Sequence, residues 1–208
     1  MFTGLIEATA RVDRIDDVQS GRRVRLTTPL GAELRAGDSI AVSGVCLTAV
    51  ETDAAGLVAD VGPETMRVTT FGTMRSGQIV NLERPLRADG RIGGHFVLGH
   101  VDGVGRIVAM RPDGDGQWLE VECPPALRMY LISKGSIAVD GISLTIASLD
   151  QDRVAVQVVP FTRAHTSLED ARVGDRVNIE ADVIGKYVAR QRGVSSEALA
   201  GVARPSGA

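Results

Sequence analysis

The sequence predicts an all-β protein written twice: two tandem domains of short strands, followed by one amphipathic α-helix. Three observations carry that expectation. An ungapped offset of 97 aligns residues 39–83 with 136–180, and 17 of these 45 positions are identical, far above chance for unrelated segments. The apolar segments are short, rich in β-branched residues and bounded by Gly, Asp or Pro. Helical periodicity enters only from Val183 onward.

Upstream of the aligned block, an offset of 95 places Gly4-Leu5-Ile6-Glu7 over Gly99-His100-Val101-Asp102. A repeat of this length is a whole small domain and not a solenoid unit. The 208 residues therefore divide into domains 1–97 and 98–186. In the first, Ser39–Val42, Leu57–Val61 and Ile79–Glu83 read as strands; in the second, Ile137–Val139, Val154–Val159 and Val177–Glu180 do. Gly37-Asp38, Gly114-Asp115-Gly116 and Gly174-Asp175 read as turns. About six strands per half at regular turn spacing fit a Greek-key barrel that closes its own edges. Composition alone does not separate that barrel from a sandwich. After Val183, Ile184, Tyr187, Val188 and Gln191 share one helical face, with Lys186, Arg190 and Arg192 on another. A helix centred on 187–200 is expected as a docking or oligomerisation element, shortened or kinked at Gly193, with 201–208 as a frayed tail.

Composition removes several function classes. The balance of 23 basic and 26 acidic side chains gives −3, and aromatics are only 3%, so neither a phosphate-binding stripe nor a base-stacking platform is expected. A nucleic-acid partner is not expected. Cys46 and Cys123 are far apart and outside any C-x-x-C pair, which excludes a disulfide scaffold and a cysteine zinc site. The N-terminus MFTGLIE lacks a basic n-region and an apolar h-region, and no apolar run has membrane-spanning length. The expectation is a cytoplasmic protein without a membrane partner. His95, His100 and His165 are isolated from clustered carboxylates, so no metal site is expected. No dinucleotide fingerprint, P-loop or G-x-S-x-G motif is present.

The repeat singles out candidate pocket residues, because a position polar in both copies within an apolar strand lacks a core role. Cys46 over Ser143 and Thr48 over Thr145 qualify, and on a strand 46 and 48 share one face. Local hydrogen bonding at the turns after Gly44 and Gly141 is the plainer reading of the same residues. His100 follows a glycine that permits close approach, and histidine as a residue type suits proton transfer. His95 reads as a hydrogen-bonder in the linker. Lys134 would need desolvation to act as a nucleophile.

Taken together, MFTGLIE, GVCLT at 44–48, PET at 63–65, GGHFVLGHVDG at 93–103, KGSIAVDGISLT at 134–145 and VNIEADVIGKYV at 177–188 resemble the riboflavin synthase family. The resemblance extends to about residue 190. It implies two six-stranded Greek-key β-barrels and a dismutation in which two 6,7-dimethyl-8-ribityllumazine molecules exchange a four-carbon unit. The products would be riboflavin and 5-amino-6-ribitylamino-2,4-pyrimidinedione, with no cofactor and no metal. It implies a homotrimer held partly by the C-terminal helix, and makes lumazine synthase a candidate partner. Carried over by position, Gly4, Leu5, Ile6, Cys46, Leu47, Thr48 and Asp60-Val61-Gly62-Pro63-Glu64-Thr65 line the N-half pocket, which Phe2 closes. Gly99, His100, Val101, Ser143, Leu144, Thr145 and Gln157-Val158-Val159-Pro160-Phe161-Thr162 line the C-half pocket, with Lys134 reaching toward the ligand. Cys46, His100, Ser39 and Ser143 are the residues expected to handle protons or transient addition. Leu98 stands where a polar residue is expected. The rivals are a non-catalytic lumazine- or flavin-binding protein of the same superfamily and, more distantly, a flavin reductase barrel; the latter lacks a following nicotinamide-binding half.

Overall fold

The computed structural model describes residues 1–193; the expected helix beyond Gly193 and the tail at 201–208 lie outside the described residues. Strands β1 (Ala8–Val18), β2 (Gly21–Thr27), β3 (Ser39–Val42), β4 (Val45–Asp53), β5 (Gly56–Val61) and β6 (Ile79–Glu83) form the first barrel. It closes in the antiparallel order β1-β2-β5-β4-β3-β6. Strands β7 (Gly103–Asp113), β8 (Gly116–Glu122), β9 (Ser136–Val139), β10 (Ile142–Asp150), β11 (Arg153–Val158) and β12 (Arg176–Ala181) close the second barrel, order β10-β11-β8-β7-β12-β9. Closure pairs every edge and settles barrel over sandwich. Short helices α1 (Pro63–Val68) and α2 (Pro160–Ala164) occupy equivalent places after β5 and β11. Helix α3 (Val183–Gln191) begins four residues before the boundary expected at 187, because the Asp182 carboxylate accepts from Ile184 N and caps it there. Gly193, at φ +74, follows its last turn. No described helix is long and apolar enough to cross a membrane.

Strand alternation builds each core. Ile40, Val42, Val45 and Leu47 point into the first barrel with Leu57 and Leu82; Ile137, Val139, Ile142 and Leu144 do the same in the second with Ile146 and Ile179. Each fully buried Leu or Ile contributes roughly 1.5–3 kcal/mol. The intervening residues, Ser39, Ala41, Cys46 and Thr48, and Ser136, Ala138, Ser143 and Thr145, therefore face out of their barrels.

The outward faces meet across a reciprocal interface. Phe2 and Val97, paired backbone to backbone, pack with Ala41 and Ala138 between the barrels. The β3–β4 and β9–β10 turns abut tip to tip. A Cβ on Gly44 would lie 2.7 Å from Gly141 N, and one on Gly141 the same distance from Gly44 N. Two fully buried asparagines clasp the halves. Asn81 Nδ2 donates to Asp140 O (2.9 Å) and its Oδ1 accepts from Ser167 N (2.7 Å). Asn178 Nδ2 donates to Ser43 O (2.9 Å) and its Oδ1 accepts from Thr70 N (2.8 Å). Residue i on one copy meets residue j on the other and vice versa, the signature of a two-fold relation.

Asp140 breaks that symmetry, standing where the first copy has Ser43. Half-buried as a residue, it sits over a groove of about 660 Å³ between the barrels, with its carboxylate surrounded by protein. Burial raises its pKa to about 7, against the hydrogen bond that Asn178 N donates to it and with Asp175 adding repulsion. A raised carboxyl pKa means that stability is fully present below the unfolded value and is lost as pH rises through about 7. The loss is on the order of 4 kcal/mol at most. Asp140→Asn keeps an acceptor for Asn178 N but cannot ionise. The fall in urea midpoint between pH 5 and pH 8 should be smaller in the variant than in the wild type, and an equal pH dependence in both proteins rejects the assignment.

Candidate active site

Each barrel carries an outward ledge on its second hairpin strand. On the first barrel the ladder pairs Ser39 with Thr48 and Ala41 with Cys46, so Ser39, Cys46 and Thr48 share the ledge. On the second barrel Ser136 faces Thr145 and Ala138 faces Ser143. Thr48 and Thr145 are exposed, while Cys46 and Ser143 are half-buried. Beyond the last β4–β5 pair, Ala49 with Ala59, the Cys46 amide turns to Gly99 O at 2.9 Å. The Ser143 amide likewise turns to Gly4 O at 2.8 Å.

The segments leading into the two barrels are thus exchanged. Gly4 lies on Ser143 and Ile6 packs against the second core; Gly99 lies on Cys46 and Val101 packs against the first. The expected grouping of Gly4-Leu5-Ile6 with Cys46, and of Gly99-His100-Val101 with Ser143, is corrected by this geometry. Similarity between copies reveals equivalent positions, but not which copy a segment touches. The exchange brings the His100 segment to Cys46 within one chain, so no second subunit is needed to assemble them.

Buried carboxylates hold both segments in place. Glu83 accepts from Thr3 N (2.6 Å), Thr3 Oγ1 (2.8 Å) and Gly4 N (2.9 Å). Glu180 accepts from Leu98 N (2.8 Å) and Gly99 N (3.0 Å). Burial raises the pKa of both, partly offset by these donors and, for Glu180, by Lys186. Leu98 occupies the place of Thr3, so Glu180 receives one hydroxyl fewer, and Lys186 on α3, paired with Asp102 at 2.7 Å, stands nearby instead. The backbone groups of Gly4 and Gly99 are therefore occupied, and it is Leu5 and His100, both exposed, that stand free beside the ledges.

Other expected residues fall into distinct settings. Phe2 is fully buried between the barrels and closes no pocket; its place opposite Val97 makes it interface core. Leu47, Val61, Leu144 and Val158 are core residues beneath the ledges. Gly62, Pro63 and Pro160 open α1 and α2, and Thr65 O and Thr162 O accept from the Thr69 and Thr166 hydroxyls at 2.6 and 2.7 Å. The Asp60 carboxylate is held bidentately by Arg23 at 2.7 and 2.9 Å, and Glu64 is held by Arg67; both pairs keep the acid below its usual range. Gln157 donates to Asp113 (2.8 Å). Val159 and Phe161 are exposed, and Phe161 stacks on His165 with centroids 4.0 Å apart. Lys134 is exposed in a left-handed turn at φ +65. Burial pushes the Cys123 thiol up to about 12, which removes it as a nucleophile.

His95, placed by sequence reading as a hydrogen-bonder in the linker, has a partner that this reading missed. It is buried, and its Nδ1 lies 2.7 Å from Ser143 Oγ. Glu83 and Glu180 were equally detectable: polar in both copies inside apolar strands, they satisfy the same criterion that selected Cys46 and Thr48.

The lumazine binding domain family matches this chain twice, over residues 3–85 and 98–182. Curated riboflavin synthases are similar over most of both chains. That of Mycobacterium tuberculosis is 43% identical over 195 residues, 91% of this chain and 97% of its own. That of Bacillus subtilis is 40% identical over 193 residues, 91% of this chain and 89% of its own. Among solved structures, LumP complexed with riboflavin superposes with a TM-score of 0.82 at 22% identity, over 87% of this chain and 99% of that one. LumP complexed with 6,7-dimethyl-8-(1'-D-ribityl) lumazine gives 0.79 at the same identity and coverage. These two structures establish likeness of fold. On the sequence matches, the chain belongs to the riboflavin synthase family, with the lumazine binding domain present in both halves.

Proposed function

We propose that the chain is a transferase that converts two molecules of 6,7-dimethyl-8-ribityllumazine into riboflavin and 5-amino-6-ribitylamino-2,4-pyrimidinedione. A four-carbon unit passes between the rings, as in the riboflavin synthases it resembles. The observation that carries this is the presence of two complete ledges, each with a hydroxyl-bearing Thr, a Cys or Ser beside it and a clamped segment against it. A reaction that consumes two copies of one molecule requires two such places.

The 7-methyl group of the lumazine is acidic because its anion delocalises into the ring. The protein's task is then to remove that proton, admit a nucleophile and hold two rings together, and holding reactants together contributes several kcal/mol. Thr48 and Thr145 orient the ligands, with Leu5 and His100 beside them. Cys46, Ser39, Ser143 and His100 handle the proton and transient addition. Chain copies assemble as a homotrimer in which the ledge of one copy faces that of the next. The exposed Ile184, Tyr187 and Val188 on α3 support such an assembly. The enzyme works in the cytoplasm, and lumazine synthase, which makes its substrate, is a candidate partner.

The alternative is a binding-only protein of the same fold, the fold seen in LumP complexed with 6,7-dimethyl-8-(1'-D-ribityl) lumazine. Two intact ledges favour the enzyme, since a binder needs one. Incubating the purified full chain with 6,7-dimethyl-8-ribityllumazine should yield one riboflavin for every two molecules consumed. A spectral shift with no riboflavin rejects the enzyme. Light scattering should give a trimer mass, and a monomer mass rejects the assembly.

A further inference from the structure

His95 has one ring nitrogen at work and one with nothing to bond. Nδ1 lies 2.7 Å from Ser143 Oγ, whereas Nε2 is fully buried and has no hydrogen-bond partner among the described residues. The residue is 8% exposed, and its amide donates to Thr3 O at 3.1 Å. Gly94 makes this seat available: a Cβ there would lie 2.1 Å from Thr3 O and 2.9 Å from Ser143 Oγ. Burial lowers the imidazole pKa despite the opposing pull of Asp182, so the ring is neutral and carries a single N–H.

Which nitrogen carries it follows from the surroundings. An N–H on Nε2 would be a buried donor without an acceptor, a condition native interiors almost never tolerate. A bare lone pair there is the lesser penalty. The hydrogen therefore sits on Nδ1 and is donated to Ser143 Oγ. With that oxygen accepting from His95, the Ser143 hydroxyl hydrogen is left to point elsewhere, and the outward ledge is where it faces.

Resting on the functional reading above, we propose that His95 is a positioning residue that turns Ser143 into a hydrogen-bond donor toward the ligand. The second ledge then selects an acceptor edge of the ring, a carbonyl oxygen or an unprotonated ring nitrogen. An acceptor that gains negative charge when the ring loses its methyl proton is held more tightly by this donor. His95 does not serve as a base that activates Ser143. The first ledge has no counterpart among the described hydrogen bonds: Cys46 presents a thiol, a weak donor, and no hydrogen bond from an imidazole reaches it among the described residues. The two ledges thus read different chemical states of the same molecule.

Nitrogen-15 NMR of the full chain labelled in histidine tests the assignment directly, with the His95 signals identified by their loss in His95→Asn. Nδ1 should resonate as a protonated, pyrrole-type nitrogen and Nε2 as an unprotonated, pyridine-type one, unchanged between about pH 7 and pH 8. A protonated Nε2, or a titration in that range, overturns the proposal. Kinetics supply a second readout. His95→Leu should lower kcat/KM at least tenfold, and His95→Asn, whose amide N–H can replace the Nδ1 donor, should recover most of that loss. Equal losses in the two folded variants also overturn it. If the wild-type chain makes no riboflavin, the functional reading fails, while the NMR result still decides the His95 assignment.

Discussion

Gly99→Ala should cut riboflavin formation by about a hundredfold or more, with ligand binding at the first ledge weakened in parallel. Gly99 sits at φ +80, and a Cβ there would come within 2.5 Å of Cys46 Cβ and 2.8 Å of Cys46 N. These are backbone and near-backbone atoms that cannot swing aside. The left-handed conformation costs an L-residue about 1–2 kcal/mol, and the overlap adds about 1–3 kcal/mol. Relief requires breaking either the Cys46 N to Gly99 O bond or the two bonds to Glu180. Either route moves His100 away from Cys46, and a displacement near 1 Å at a reacting group can cost about a hundredfold. Gly37→Ala is the control. It carries φ +97 with nothing within 4 Å among the described residues, and Lys134 at the equivalent turn shows that an L-residue is accommodated there. Steady-state rates beside thermal unfolding of both variants separate strain from collision. A Gly99→Ala enzyme within threefold of wild type refutes the exchanged-segment geometry.

Asn81→Ala and Asn178→Ala should each destabilise the protein by about 2–4 kcal/mol, since each leaves two buried or half-buried backbone groups on the opposite barrel without their asparagine partner. For a chain of this size that corresponds to a fall in melting temperature of about 5–15 °C. Because the lost bonds lie between the barrels, the double variant should also unfold in two calorimetric steps where the wild type shows one. Shifts under about 1 °C, or a single transition in the double variant, show that the clasps contribute little.

Much of the fold was legible because the sequence repeats. Positions 39–42 over 136–139, and the Gly, Thr and Asn identities that follow, fix turns and strands twice over, and Val154–Val158 is β-branched along most of its length. The first strand of each barrel was harder to read. Ala8–Val18 is dense in Arg and Asp, since only alternate residues at its start face inward and its end projects into solvent. At the site, the periodicity of 46/48 and 143/145 marked the ledges correctly as a shared face. What sequence could not supply was partnership across the interface. The exchange of 2–6 with 97–101 depends on which barrel each segment lies against, and no local pattern encodes that. The partner of His95 was invisible for the same reason: the contact lies 48 residues away in the chain.

The reciprocal docking of the two barrels has a further consequence. A surface that matches its own duplicate is what a homodimer presents, so this chain is in effect a dimer joined end to end by residues 84–97. Joining the halves replaces an association that depends on protein concentration with one fixed at a high effective concentration. Neither half can then meet a second copy of itself by exchange, so substitutions on one side need not be tolerated on the other. Cys46 beside Ser143, Ser43 beside Asp140 and Thr3 beside Leu98 are three places where the halves have used that freedom to become unlike.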